Sequence, residues 1–117
     1  MPRDLIGEEL ARWGKVALLE TTGRISGRPV QAAVGYVDQD DGSLLVAAGD
    51  ESADWALNLR AQPHCHATIG EHAAAYEAAE LDDAQRAAAI TSLILKYGTP
   101  AERLGRGPAF RLTPVAG

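Results

Sequence analysis

The sequence predicts an α+β fold built on a small β-barrel, with six to seven mostly antiparallel short strands and two or three short helices. Three observations carry this expectation. Short runs with two-residue alternation or an apolar body are separated by Gly-, Asp- and Ser-containing turns, the pattern of a meander. Apolar residues recur at helical spacing in few places, most clearly over residues 82–97. The chain lacks the regular strand–helix alternation and the GxGxxG turn of a parallel dinucleotide fold, and it has no nucleotide P-loop.

Taken in order, Ile6, Leu10 and Trp13 share one face of a helix over residues 4–13, which Asp4 can cap. Val16 to Glu20 reads as a strand, and residues 23–28 as a turn. Val30, Ala32, Val34 and Tyr36 alternate with Gln31, Ala33 and Gly35, the period of a second strand. Residues 38–42, with three aspartates and Gly42, form a turn by composition, and Leu44 to Ala48 the strand after it. Ser52 opens a short helix that Pro63 stops, because proline lacks the N–H and restricts its predecessor. His64 to Ile69 is strand-like. Residues 72–81 favour a helix by their alanines, but their place after Gly70-Glu71 makes them a hairpin partner for 64–69, and strand is the expectation. Residues 82–97 form a helix capped by Asp82, with Ile90, Leu93, Ile94 and Tyr97 on one face, Gly98 at its end and Pro100 beyond. Phe110 to Pro114 closes the set as a strand.

The 117 residues fit one domain, and 46% apolar content suits a packed core rather than disorder. No apolar run approaches the ~20 residues of a membrane span. Acids in MPRDLIGEELARW stand where an export signal would be apolar, so the cytoplasm is the expected compartment. One cysteine allows no internal disulfide. Sixteen acids against eleven bases give a net charge of −5, which argues against a general nucleic-acid binder. The charges are segregated: Arg12, Lys15, Arg24 and Arg28 dominate residues 12–28, while residues 38–54 hold six acids and no base. A small anionic ligand suits the first segment.

The strongest local signal is Thr21-Thr22-Gly23-Arg24-Ile25-Ser26-Gly27-Arg28-Pro29, between two predicted strands. Its glycines permit tight backbone geometry, its amides can form an anion-binding concavity, and Arg24 and Arg28 match phosphate or carboxylate oxygens in a bidentate way. A plain hairpin loop with solvated arginines shares this composition. Trp55, Asn58 and Leu59 share one face of the short helix, which by itself reads as an amphipathic helix packing Trp55 into the core. His64 and His66 fall on one strand face, but no third ligand is evident, and no metal site is expected. Cys65, on the other face, reads as a small core residue. Arg103, Arg106 and Arg111 can extend a basic rim for an anionic tail or be solvated, and solvated is the expectation.

The elements LLETTGRISGRP, VGYVDQDDGSLLVAA, DWALNLRAQP and FRLTPV, in this order from Val16 to Val115, resemble the deazaflavin-dependent nitroreductase family. The resemblance implies a split β-barrel, here one domain over 1–117 with residues 1–14 leading in as a helix. It implies binding of coenzyme F420, whose anionic tail of phosphate and glutamates lies on the Gly/Arg/Ser turn, and hydride transfer to a quinone, nitro compound or other activated small molecule. Carried over by position, Arg24, Ser26, Gly27 and Arg28 hold the tail, Trp55 and Asn58 border the cofactor, and backbone near Val34, Ala47 and Ala48 lies along the ring. Tyr36 and Tyr97 line the acceptor side as candidate catalytic residues. Where family members often carry a second basic residue this chain has Ile25, and Asp54 brings a negative charge near the ligand. The same barrel also suits FMN as an alternative cofactor, or a non-catalytic carrier of a cofactor or fatty acid. A homodimer is an arrangement split barrels often use to bury an open sheet edge.

Overall fold

The computed structural model describes residues 14–98 and 107–115, so the predicted N-terminal helix, Pro100, Arg103 and Arg106 lie outside the described residues. The strands are β1 (Ala17–Thr22), β2 (Pro29–Val34), β3 (Tyr36–Asp38), β4 (Leu44–Ala47), β5 (His64–Ile69), β6 (His72–Glu80) and β7 (Ala109–Pro114). The helices are α1 (Asp54–Ala61), between β4 and β5, and α2 (Asp83–Tyr97), between β6 and β7. All seven strands form one sheet in the order β2-β1-β5-β6-β7-β4-β3, and every pairing is antiparallel.

The two edge strands of this sheet, β2 and β3, follow each other in the chain with Gly35 alone between them. The sheet has therefore curled until its first and last strands meet, and the covalent chain, not a hydrogen-bond ladder, joins them. The sequence predicted one strand through Val30–Tyr36. It breaks because Val34 pairs with Ala17 of β1 whereas Tyr36 pairs with Val46 of β4. The break is a tight spot that glycine suits. A Cβ at Gly35 would lie 3.2 Å from Cε2 of Tyr97, whose ring covers the seam.

The barrel interior is apolar. Leu19, Val34, Leu44, Val46, Leu59, Cys65, Phe110 and Leu112 form its buried centre, with Trp55 packed on Phe110 at 6.0 Å between ring centroids. Phe110 is 1% exposed, and burial of a side chain of this size stabilises the fold by about 1.5–3 kcal/mol. A second cluster, Ala47, Leu93 and Ala109 with Ile90, Ile94 and Tyr97, lies between α2 and the sheet. This is the apolar face predicted for that helix, and it explains why β4 is buried on both sides.

Local chemistry sets the ends of the elements. Asp82 accepts from the Gln85 amide while the Gln85 side chain accepts from the Asp82 amide, a reciprocal cap worth about 1 kcal/mol. The first helix begins at Asp54 rather than at Ser52, because Ser52 donates through both its amide and its hydroxyl to Asp50 Oδ1 and so belongs to the preceding turn. Residues 72–81, ambiguous by composition, pair as a strand with both β5 and β7, so pairing overrides the helix propensity of their alanines.

Candidate functional site

The Gly/Arg/Ser turn links β1 to β2 and lies against α1. The Gly23 amide donates to Arg28 O and the Gly27 amide to Gly23 O, each at 2.8 Å. Gly27 has φ +73°, a conformation natural to glycine. A Cβ on Gly23 would lie 2.8 Å from Ser26 Oγ and 3.0 Å from Arg28 O, so the bend closes over that position. Ser26 Oγ accepts from the Arg28 amide at 3.1 Å, which leaves its hydroxyl proton free to donate elsewhere.

The two arginines of this turn have different fates. Arg24 folds back onto α1: Nη1 donates to Asn58 Oδ1 at 2.8 Å, the Arg24 amide donates to the same oxygen at 3.1 Å, and Nη2 pairs with Asp54 Oδ1 at 3.3 Å. Asn58, 2% exposed, completes its bonding by donating Nδ2 to Thr21 Oγ1 at 3.1 Å. A buried amide on a helix thereby fixes the turn to β1. Arg28 is exposed, and among the described residues nothing pairs with its guanidinium. The amides of Ile25 and Ser26 likewise have no partner among the described residues. What the turn keeps available is one guanidinium, one hydroxyl and two amides, all donors. Such a set fits the phosphate end of an anionic cofactor.

Tyr36 and Tyr97 stand elsewhere. They mark the opposite end of β2, about 20 Å along the strand direction at ~3.3 Å per residue. The Tyr36 hydroxyl donates to Gly14 O at 2.8 Å. The Tyr97 hydroxyl donates to Lys15 O at 2.7 Å and accepts from the Tyr36 amide at 3.1 Å. Lys96 Nζ donates to Tyr36 O at 2.7 Å and sits 3.4 Å from the centre of the Tyr36 ring. Burial, followed by the charge of Asp38 and the neighbouring Tyr97, pushes the Tyr36 phenol above its ordinary range. These side chains fasten the seam at Gly35 to the residues that lead into β1, with every tyrosine hydroxyl there bonded to backbone.

The remaining expected positions are distributed through the core. Val34, Ala47 and Ala48 are buried; Val34 pairs with Ala17, Ala47 with Ala109, and the Ala48 amide donates to Pro108 O. Trp55 is half-buried on α1 and packs against the core at Phe110. His64 and His66 are exposed, with rings edge to face at 5.4 Å, and His64 lies 3.7 Å from Glu77. Among the described residues no group of three metal-ligating side chains is gathered. Burial raises the Cys65 thiol to about 12, so it is a protonated core group. Arg111, expected to be solvated, is instead half-buried on β7, and its enclosed Nε has no hydrogen-bond partner among the described residues.

Sequence reasoning missed three participants. Thr21 was legible in principle, since it continues the inward alternation of Ala17 and Leu19 and so places a hydroxyl in the core beside the turn. The pairing of Asp54 with Arg24 and the reach of Lys96 to Tyr36 join residues far apart in the chain, and no local pattern announces them.

The family model described as F420H(2)-dependent quinone reductase matches residues 2–104. Among solved structures, the chain is similar to an F420-H2 dependent reductase, FDR-A, at 23% identity and a TM-score of 0.71, over 84% of this chain and 93% of that one. It is similar to a domain-swapped dimer at 22% identity and a TM-score of 0.70, over 90% and 92%. It is also similar to HutZ, the heme storage protein of Vibrio cholerae, at 20% identity and a TM-score of 0.72, over 100% and 93%. At these identities the structural likeness speaks for the fold, a split-barrel type of seven antiparallel strands with two helices. Among the described residues, no helix is long and apolar enough to cross a membrane.

Proposed function

This chain belongs to the F420H(2)-dependent quinone reductase family, and from that premise we propose that it is an oxidoreductase acting on a quinone, a nitro compound or another activated small-molecule acceptor. When bound, the reduced deazaflavin supplies the hydride; the protein contributes binding, orientation and shielding. The observation that carries the reading is that the Arg28 guanidinium and the Ile25 and Ser26 amides, on one turn, have no partner among the described residues, while Arg24, Asn58 and Thr21 fix that turn's shape from behind.

In this reading Arg28 and the Ser26 hydroxyl hold the anionic tail, and Gly27 lets the backbone approach it. Arg24 and Asn58 act one step back: they set the turn's position on α1 and keep its donors in place. Trp55, packed on Phe110, forms an apolar border for the coenzyme. Tyr36 and Tyr97 hold the barrel seam. A proton needed by the acceptor comes from water, because both phenols already donate to carbonyl oxygens.

The test is to mix the protein with reduced coenzyme F420 and a panel of quinones and nitroaromatics, follow coenzyme oxidation by absorbance, and run FMN in parallel. Oxidation above background with at least one acceptor is expected. Tight binding without oxidation would mean a carrier and overturn the catalytic part.

A further inference from the structure

We infer that Asp54 sets which anionic tails this chain prefers, by holding the charge of Arg24 so that Arg28 is the guanidinium of the turn left to meet the ligand. This deepens the proposed function and rests on it. Two arginines four positions apart would together favour a polyanion. Here Asp54 Oδ1 lies 3.3 Å from Arg24 Nη2, and the Asp54 carbonyl lies 3.5 Å from Nη1, while Asn58 takes Nη1 at 2.8 Å. The guanidinium is thus oriented toward α1, and its charge is compensated where a tail would otherwise find it. Asp50 and Glu51, both exposed, precede Asp54 in the chain, so the segment entering α1 carries net negative charge. A phosphate gains from Arg28, Ser26 and the open amides. Each further carboxylate of a long glutamate tail meets a turn whose second cation is already neutralised.

The test compares dissociation constants for coenzyme F420 carrying a short glutamate tail and for coenzyme carrying a long one, by fluorescence titration. For the native protein the two are expected to agree within about twofold, since Arg28 is taken up by the phosphate and Arg24 is paired with Asp54, so added carboxylates gain no further turn cation. In Asp54→Asn, Arg24 loses its ion pair and the preference for the long tail is expected to rise by about two- to fivefold, the scale of one exposed ion pair. Asp40→Asn removes the same formal charge from the β3–β4 turn, at the far end of the β2–β3 line, and is expected to leave the ratio unchanged. A native protein that already favours the long tail strongly, or an Asp54→Asn ratio equal to that of Asp40→Asn, overturns the inference while leaving the proposed function standing. If neither form of the coenzyme binds the native protein, the proposed function falls and this inference falls with it. The native ratio is decisive by itself should Asp54→Asn fail to fold, because Asp54 is also the first residue of α1.

Discussion

The two ends of β2 are built from similar ingredients, cationic side chains, glycine and hydroxyl groups, yet they differ in where the hydrogen bonds go. At the Pro29 end, Arg24 is tied back to α1 while Arg28 and two amides have no partner among the described residues. At the Val34 end, Tyr36, Lys96 and Tyr97 all bond to backbone carbonyls, and the Tyr97 ring covers Gly35. Residue type alone did not separate them. Donors paired to backbone hold the seam; donors without a partner, on a braced turn, are what the proposed coenzyme site offers. The difference also explains how a curled sheet without a closing ladder holds its shape, since one helix end bridges the gap.

The comparison can be broken by substitutions that act on one end and leave the other alone. The largest effect is expected from Asn58→Ala, which strands the buried Thr21 hydroxyl and removes the acceptor of two Arg24 bonds. Urea unfolding should show a loss of about 2–3 kcal/mol, with weaker coenzyme binding because the turn loses its brace. Tyr97→Phe should cost about 1 kcal/mol in the same assay, the net value of the hydroxyl's bonds to Lys15 O and the Tyr36 amide, and leave coenzyme affinity unchanged. A Tyr97→Phe variant of native stability that no longer turned over would reassign this end to catalysis.

Smaller effects concern pH. The native state holds the Tyr36 proton more tightly than the unfolded chain, for which 10.0 is the ordinary value. Stability from this group is therefore complete below that value and is lost as pH rises through the raised one. Tyrosinate absorbance should show Tyr36 and Tyr76, also raised chiefly by burial, titrating late and together with alkaline unfolding. On the acid side, the bidentate Arg60–Glu80 pair, 2.8 Å in both arms, keeps the Glu80 carboxyl below its ordinary 4.5. Its contribution is present above that value and is lost as pH falls through the lowered one. Both side chains are over 40% exposed, so Arg60→Gln should cost under ~1 kcal/mol in urea unfolding, with no effect on coenzyme binding.

Much of the fold could be read from local pattern. The capped helix ending at Gly98 announced itself through Asp82 and the apolar face at Ile90, Leu93, Ile94 and Tyr97, and the hairpin of β5 with β6 through the turn at Gly70. What local pattern hid was the division of one apparent strand at Gly35, because alternation continues through the break while the pairing partner changes. At the candidate site, the turn was legible because glycine and arginine are concentrated there. The separate fates of Arg24 and Arg28 were not, because they depend on Asn58 and Asp54, thirty or more residues further on.

The most direct measurement is a fluorescence titration of coenzyme F420 against the native protein and Arg28→Ala, with unfolding followed in parallel. A dissociation constant raised by about tenfold at unchanged stability is predicted, the loss of one charge-assisted contact from an exposed side chain that nothing else in the described fold uses. Equal affinity for the two proteins would contradict the assignment of this turn as the place where the coenzyme's anionic tail is held.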